Sequence, residues 1–164
     1  MSKVKRILSV IMAMVMVLAM SVPTFAAGEN ATITLKSFDK ANKVEYMQII
    51  QKDETKTSGW AFTNKAGKCF TEAFGLTDSE DAQQQVIWGL IQYKDNSVKL
   101  PTGVTATAAT AANIDLALSK VAALTGFKAL TDKTKIEVSE AGIYAIKAEE
   151  EGYTYKTATA YVGF

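Results

Sequence analysis

The sequence contains no histidine, and Cys69 is its only cysteine. Without histidine, the chain has neither a Ser–His nor a Cys–His catalytic pair and no histidine-ligated metal site. A single cysteine also excludes an intrachain disulfide, the covalent link that small exported domains often use. We therefore interpret Cys69 as a small, partly buried apolar side chain and not as a nucleophile.

The first 26 residues are typical of a cleavable secretory signal peptide. Three basic residues within the first six positions precede an apolar run, Ile7 to Met20, and Thr24 and Ala26 stand where a signal peptidase reads small residues. The run of 14 residues is shorter than the roughly 20 that a membrane-spanning helix needs, so a retained N-terminal anchor is the less favoured alternative. We predict that residues 27–164 leave by the general secretory pathway and act outside the cell or at its surface.

Negative charge slightly exceeds positive charge in the exported part. Removal of residues 1–26 takes away the only arginine and leaves 15 lysines against 17 acidic residues, a net charge of −2. Such a chain has no basic surface for nucleic acid and no Lys/Arg-rich helix for an anionic membrane. It also lacks the bidentate side chain that usually holds phosphate or carboxylate. We therefore expect no nucleic-acid partner and no membrane contact after signal cleavage.

Period-two alternation of apolar and polar residues marks both ends of the exported chain. β-branched and aromatic residues are frequent in these segments, as is typical of strands. The alternation predicts strands over residues 31–36, 43–51, 60–62, 135–138, 143–147 and 153–164.

The middle of the chain changes to helical periodicity. Thr77 and Glu80 have the spacing of a capping box and predict a helix that continues to about Tyr93. A second, alanine-rich helix is predicted over residues 106–125, with Gly126 as its C-terminal stop. The fold class is therefore mainly β with a helical insertion, an α+β arrangement in which an antiparallel sheet or sandwich carries about two helices.

Groups that could carry chemistry are few. The paired carboxylates fall in predicted turns, at a helix start or in a charged hairpin, where solvated acids are expected, so we predict no catalytic residue and no enzymatic activity. The sequence also lacks a glycine-rich phosphate loop and a calcium-loop pattern, and we predict no cofactor and no metal. Trp60 and Trp88 could form part of a sugar-stacking platform, although aromatic residues in such elements commonly belong to the core.

Two stretches resemble a known family. They are residues 43–62, KVEYMQIIQKDETKTSGWAF, and residues 141–164, AGIYAIKAEEEGYTYKTATAYVGF. Together with the opening TITLK, they are similar to the N-terminal domain of isopeptide-forming pilins and related surface proteins of Gram-positive bacteria. The resemblance implies an immunoglobulin-like β-sandwich in a fimbrial or adhesive cell-surface protein. Its partners would be neighbouring domains or pilin subunits, or a ligand on a host or in the extracellular matrix.

The resemblance also implies an internal lysine–asparagine isopeptide bond, with a buried carboxylate between the two partners. Lys36 is the matching first-strand lysine, and Glu137 or Glu140 is the matching acid. Residues 153–164 contain neither Asn nor Asp, so a bond of that layout cannot be completed in the closing strand, and we expect this domain not to be cross-linked.

The strand pattern continues to Phe164. We therefore expect the chain to be the N-terminal part of a longer protein, with residues 27–164 as one domain truncated at its C-terminal end. The less favoured alternative is that this strand closes the domain at Phe164. The alternative function is a secreted module that binds carbohydrate or another ligand without enzymatic activity.

Overall fold

The computed structural model describes residues 30–36, 38 and 40–163, so the predicted signal peptide lies outside the described residues. Over these ranges the structure is mixed α+β, with two sheets of antiparallel strands and three helices. The predicted α+β class is confirmed, and the predicted number of helices is too low by one. None of the helices found in the described ranges is long and apolar enough to cross a membrane.

The elements follow the order strands, helices, strands. The chain runs through β1 (Ala31–Thr34), β2 (Lys43–Lys52), β3 (Trp60–Phe62), α1 (Ala66–Ala73), α2 (Glu80–Lys94), α3 (Ala111–Val121), β4 (Lys128–Ala129), β5 (Lys135–Val138), β6 (Gly142–Glu150), β7 (Tyr153–Thr154) and β8 (Ala158–Val162).

The described residues form two compact units. The terminal unit combines residues up to Gln48 with those from Thr125 onwards, and the central unit is Ile49–Leu124. Strand β2 therefore begins in the terminal unit and ends in the central unit.

The terminal unit has two layers of antiparallel strands around one core. In one layer β1 pairs with β5, from Ala31 opposite Val138 to Thr34 opposite Lys135. In the other layer β6 lies between β2 and β8, and β4 pairs with β2. Apolar side chains from both layers share the core: Ala31, Ile33, Leu35, Phe38, Ala41, Val44, Ile136, Val138, Tyr144, Ile146, Ala160 and Val162.

Alternation in the sequence explains this packing. Ala31 and Ile33 of β1 are buried, whereas Thr32 and Thr34 are exposed. Because successive side chains of a strand point to opposite faces, one face of β1 enters the core and the other meets water.

The central unit joins the end of β2 to the three helices. Strand β3 pairs with β2, from Ile50 opposite Phe62 to Lys52 opposite Trp60. Helix α1 packs against both α2 and α3. Thr71 of α1 is fully buried, and its hydroxyl donates to Asp78 Oδ1 at 3.0 Å, which ties α1 to the segment that precedes α2.

The predicted capping box at Thr77 is wrong. Helix α2 begins after Ser79, whose Oγ accepts from the amide of Ala82 at 3.1 Å. Helix α3 is shorter than predicted at both ends. It is capped by Thr110, which has extended backbone, and ends at Val121. Its start is later than predicted because the segment before it is bonded elsewhere: the amide of Thr107 donates to the Gln85 carbonyl at 3.0 Å.

Helix α1 and strand β4 were not predicted, and the closing strand is divided in two. Helix α1 is only eight residues long, and its N-cap residue, Lys65, makes no side-chain capping hydrogen bond. Asn64 and Lys65 both have positive φ, at 50° and 64°, so an unusual turn starts the helix. The predicted strand over residues 153–164 is interrupted at residues 155–157 between β7 and β8.

Candidate functional site

Lys36 lies just beyond β1, where its side chain is exposed. The β1–β5 ladder continues to the neighbouring residue, since the amide of Leu35 donates to the Thr134 carbonyl at 2.7 Å. Glu137 is opposite Thr32, four residues before Lys36, which corresponds to about 13 Å along a strand. The structure therefore does not bring Lys36 and Glu137 together.

Neither of the two predicted acids is a buried carboxylate. The Glu137 carboxylate is 55% exposed and lies 2.9 Å from Lys135 Nζ. Glu140 is also exposed, and its contact with the core is made by its backbone carbonyl, which accepts from the Tyr144 hydroxyl at 2.8 Å. Burial raises the pKa of Tyr144 to about 12, so this phenol stays protonated and serves as a donor.

Glu45 is a buried carboxylate that sequence reasoning missed. It lies in β2, is 9% exposed, and approaches Lys43 Nζ at 2.9 Å and Lys147 Nζ of β6 at 3.7 Å. The Lys147 amine also lies over the Phe127 ring, 4.2 Å from its centroid, in the geometry of a cation–π contact. We call these four residues, Lys43, Glu45, Phe127 and Lys147, the Glu45 cluster.

The charges of the Glu45 cluster favour an ion pair over acyl chemistry. The hydrogen bond from Lys43 lowers the pKa of Glu45, although burial opposes this shift. The same hydrogen bond raises the pKa of Lys43. Amide formation needs a neutral amine and a protonated acid nearby, and the lowered Glu45 pKa and raised Lys43 pKa oppose both conditions. The cluster is built to hold β2 against β6.

A signal for the Glu45 cluster is present in the sequence in retrospect. Val44 and Tyr46 contribute to the core face of β2, which places Glu45 and Met47 on the other face. Met47 is 3% exposed, so this second face is buried too. Met47 is therefore the sequence feature that could have indicated a buried environment for Glu45.

The two tryptophans differ in accessibility. Trp88 of α2 is 8% exposed, and its indole Nε1–H has no hydrogen-bond partner among the described residues. Trp60 of β3 is half-buried. A sugar stacks only on a ring face that water can reach, so the buried position of Trp88 favours its interpretation as a core residue.

Other aromatic residues of the central unit pack with one another. The Phe62 and Phe70 rings have their centroids 5.0 Å apart, and Phe70 and Phe74 are 6.3 Å apart. These distances are typical of aromatic pairs in protein interiors. Tyr93 of α2 is an exposed large side chain, with 55% of its surface accessible.

Cys69 is buried in α1, and this burial raises the pKa of its thiol. A protonated thiol is a poor nucleophile, in agreement with the interpretation of Cys69 as a small apolar side chain. Within residues 30–36, 38 and 40–163, no group of three or more acidic or cysteine side chains is placed to hold a metal ion.

Comparison of the chain with models of protein families, with curated proteins and with solved structures finds no match.

Proposed function

We propose that the chain is an exported structural or adhesive domain of a pilin-like cell-surface protein and has no enzymatic activity. Its terminal unit would be a sandwich of the immunoglobulin-like type. Its partners would be neighbouring domains or pilin subunits, and a host or matrix ligand where the protein is adhesive.

The observation that carries the proposal is the placement of the two family-like stretches. The stretch over residues 43–62 forms β2 and β3, and the stretch from residue 141 forms β6, β7 and β8. Strands β2 and β6 are neighbours in one sheet, and the opening strand β1 lies in the facing layer. The start of β2, up to Gln48, therefore meets β6 and β8 in the terminal unit although they are far apart in sequence, as expected if they belong to one inherited module.

The polar groups of the terminal unit support a structural role. Its buried acid, Glu45, is neutralised by two lysines, and Glu137 is paired with Lys135. The pair between Glu45 and Lys147 joins β2 to β6 without a disulfide, which suits an exported chain with a single cysteine.

Fractionation of the producing cells tests the proposal. An antibody against the domain should detect it in the cell-wall fraction, in species of high mass that persist in hot detergent, as expected if pilin subunits are joined covalently. The N-terminus of the recovered protein should lie at residue 27 or 28. Recovery from the cytoplasm with an intact N-terminus, or only as a monomer in the medium, would contradict the proposal.

A secreted binding module is the second candidate, and the half-buried side chain of Trp60 favours it. If this reading is right, the domain binds immobilised glycans, and Trp60→Ala abolishes binding while the circular dichroism spectrum is unchanged. Tyr93→Ala is the matched control, since it removes an exposed aromatic side chain from another element of the same unit. Binding that survives Trp60→Ala would remove this candidate.

A further inference from the structure

The free edges of strands differ in how well they are protected. The N–H and C=O groups on the outer edge of a sheet can pair with a strand of another chain, and proteins usually cover or charge such edges. In an antiparallel pair, hydrogen-bonded and non-hydrogen-bonded residue pairs alternate. The observed bonds therefore show which peptide groups point outward.

The edge of β3 is covered by side chains. The amides of Asp53 and Thr63 donate to the carbonyls of Gly59 and Ile49. Because bonded and non-bonded pairs alternate, the peptide groups of Trp60, next to Gly59, point away from β2. The Trp60 N–H donates to Ser58 Oγ at 3.2 Å. The Trp60 carbonyl accepts from Gln84 Nε2 at 2.9 Å. No strand can pair there without displacing these groups.

The edge of β5 carries charge. Among the described residues β5 pairs only with β1, and its outward peptide groups belong to Lys135 and Glu137. The exposed side chains of these two residues form an ion pair. A charged edge strand of this kind discourages pairing with another strand.

The edge of β1 is open. Because Leu35 is hydrogen-bonded to Thr134, the peptide groups of Thr32 and Thr34 point away from β5. In the described part of the chain, these outward groups make no hydrogen bond. Both side chains are exposed, and β1 contains no charge, proline or bulge that would block a partner strand.

We propose that β1 pairs antiparallel with β1 of a second copy of this chain, about a two-fold axis at Ile33. In this register Thr32 of one copy is hydrogen-bonded to Thr34 of the other, and all of the outward groups of both residues are used. A two-fold contact uses the same surface on both copies. The result is one continuous sheet, β5–β1–β1–β5.

The residues of β1 are complementary to themselves in this register. Threonine lies opposite threonine on the outer face, which is a favourable cross-strand pair. The two Ile33 side chains adjoin on the inner face, and Lys36 lies opposite Asn30, so no like charges meet. A shift by two residues would place one threonine of each copy opposite Lys36 or Asn30, outside the strand, and leave one hydrogen-bonded threonine pair where this register has two. This inference rests on the strand register and does not depend on the proposed function.

The contact is small, so the association is weak. Four paired residues cover much less than the roughly 1,600 Å² of a standard stable interface. We expect a dissociation constant on the order of 0.1–1 mM. Such a contact would act where many copies are held close together, since tethering raises the effective concentration.

Sedimentation equilibrium of the exported chain, between about 0.02 and 1 mM, tests the proposal. Wild type should shift from monomer to dimer. The double variant Thr32→Lys, Thr34→Lys places lysine opposite lysine twice and should weaken dimerisation at least about tenfold. The matched variant Thr32→Lys, Thr34→Glu places lysine opposite glutamate twice and should dimerise within about threefold of wild type.

Three outcomes would overturn the proposal: a wild type that is monomeric at 1 mM, a dimer unaffected by the two lysines, or a folded Lys/Glu variant that does not dimerise. Circular dichroism establishes that each variant is folded. If the double-lysine variant does not fold, Thr34→Pro replaces it. Proline removes one outward N–H and leaves the bonds between β1 and β5 in place, so it too should abolish the dimer.

Discussion

In the terminal unit, the buried polar contact that joins strands is ionic, with Glu45 lying between Lys43 and Lys147. In the central unit, the corresponding contacts are made by neutral glutamines of α2. Gln84 donates to the Trp60 carbonyl at 2.9 Å, and Gln92 donates to the Val98 carbonyl at 3.1 Å. The difference is one of degree, since Gln48 of the terminal unit also donates to the Ala141 carbonyl at 3.2 Å, and the central unit has ion pairs at its surface, such as Lys120–Glu72. What is particular to the terminal unit is a buried carboxylate with two lysine partners.

This difference follows from what each unit has to hold. The terminal unit pairs regular strands whose backbone groups satisfy one another, so its side chains are free to form ion pairs across the sheet. The central unit contains residues 95–110, which are irregular and lie along α2. The Val98 carbonyl of this segment and the outward Trp60 carbonyl of β3 have no ladder partner, and Gln92 and Gln84 satisfy them without the cost of burying a charge. The two units should respond differently to mutation and to pH.

The largest effect is expected for Gly89→Ala in the central unit. A Cβ at position 89 would lie 1.8 Å from the Thr107 carbonyl oxygen, so the segment along α2 would have to move away. We expect a loss of about 3 kcal/mol in the free energy of unfolding, measured by urea denaturation.

Gly75→Ala is the matched control for Gly89→Ala. Gly75 has φ of +74° and nothing within 4 Å of the added Cβ, so only backbone strain opposes alanine, at about 1 kcal/mol. Equal losses for the two variants would show that the close approach at Gly89 does not matter.

The next effect is expected for Glu45→Gln in the terminal unit. The amide keeps the shape of the side chain but removes its charge, which leaves Lys43 and Lys147 without their counter-ion. Both amines can still reach water, so the loss should be about 2 kcal/mol, the value of a hydrogen bond to a charged group. Glu137→Gln is the control, because its exposed ion pair with Lys135 should contribute less than about 1 kcal/mol.

The pH dependence of stability tests whether the contribution of Glu45 is ionic. Glu45 has a lower pKa in the folded chain than its ordinary value of 4.5. Its contribution is therefore fully present above that value and is lost as the pH falls through the lower, folded-state pKa. The difference in unfolding free energy between wild type and Glu45→Gln should shrink when the pH is lowered below about 4.5. A difference that is constant from pH 7 to pH 3 would contradict the ionic assignment.

Turn aspartates add acid sensitivity to both units. Hydrogen bonds from Thr55, Ser97 and Thr134 lower the pKa of Asp53, Asp95 and Asp132, respectively. For this reason the comparison of wild type with Glu45→Gln, rather than the acid sensitivity of wild type alone, isolates the Glu45 cluster.

The local alternation of apolar and polar residues explains which parts of this structure could be predicted from the sequence. The alternation in β1, β5 and the start of β6 reflects burial of one face, and those strands lie close to their predicted positions. Helix α1 has no such signal, because a left-handed turn at Asn64 and Lys65 starts it. Glu45 pairs with Lys147, about 100 residues away, and pairing at that separation cannot be read from local periodicity. The side-chain hydrogen bond that protects the outer edge of β3 likewise depends on where α2 places Gln84 in the folded chain.

A smaller effect is expected for Gln84→Ala. This change removes the Gln84 donor from the Trp60 carbonyl, to which the Ser58 hydroxyl can still donate at 3.1 Å, and should cost about 1 kcal/mol. Gln92→Ala removes a comparable bond to the Val98 carbonyl and should cost a similar amount. Only Gln84→Ala uncovers a strand edge, so light scattering should show more self-association for this variant. Equal scattering for both variants would argue against an edge-covering role for Gln84.

The smallest effect is expected for Lys36→Ala. The Lys36 side chain is exposed, and the register places Glu137 opposite Thr32, not opposite Lys36, so the unfolding free energy should change by less than about 0.5 kcal/mol.

The intact mass of the protein shows whether Lys36 forms an isopeptide bond. A lysine–asparagine bond releases one ammonia, whereas the uncross-linked chain keeps the full mass of its sequence. We expect the full mass for wild type and, apart from the substitution, for the variant. A wild type lighter by one ammonia that regains this mass in Lys36→Ala would show that Lys36 is cross-linked. The terminal unit would then be held by a covalent bond, and its ion pairs would be secondary.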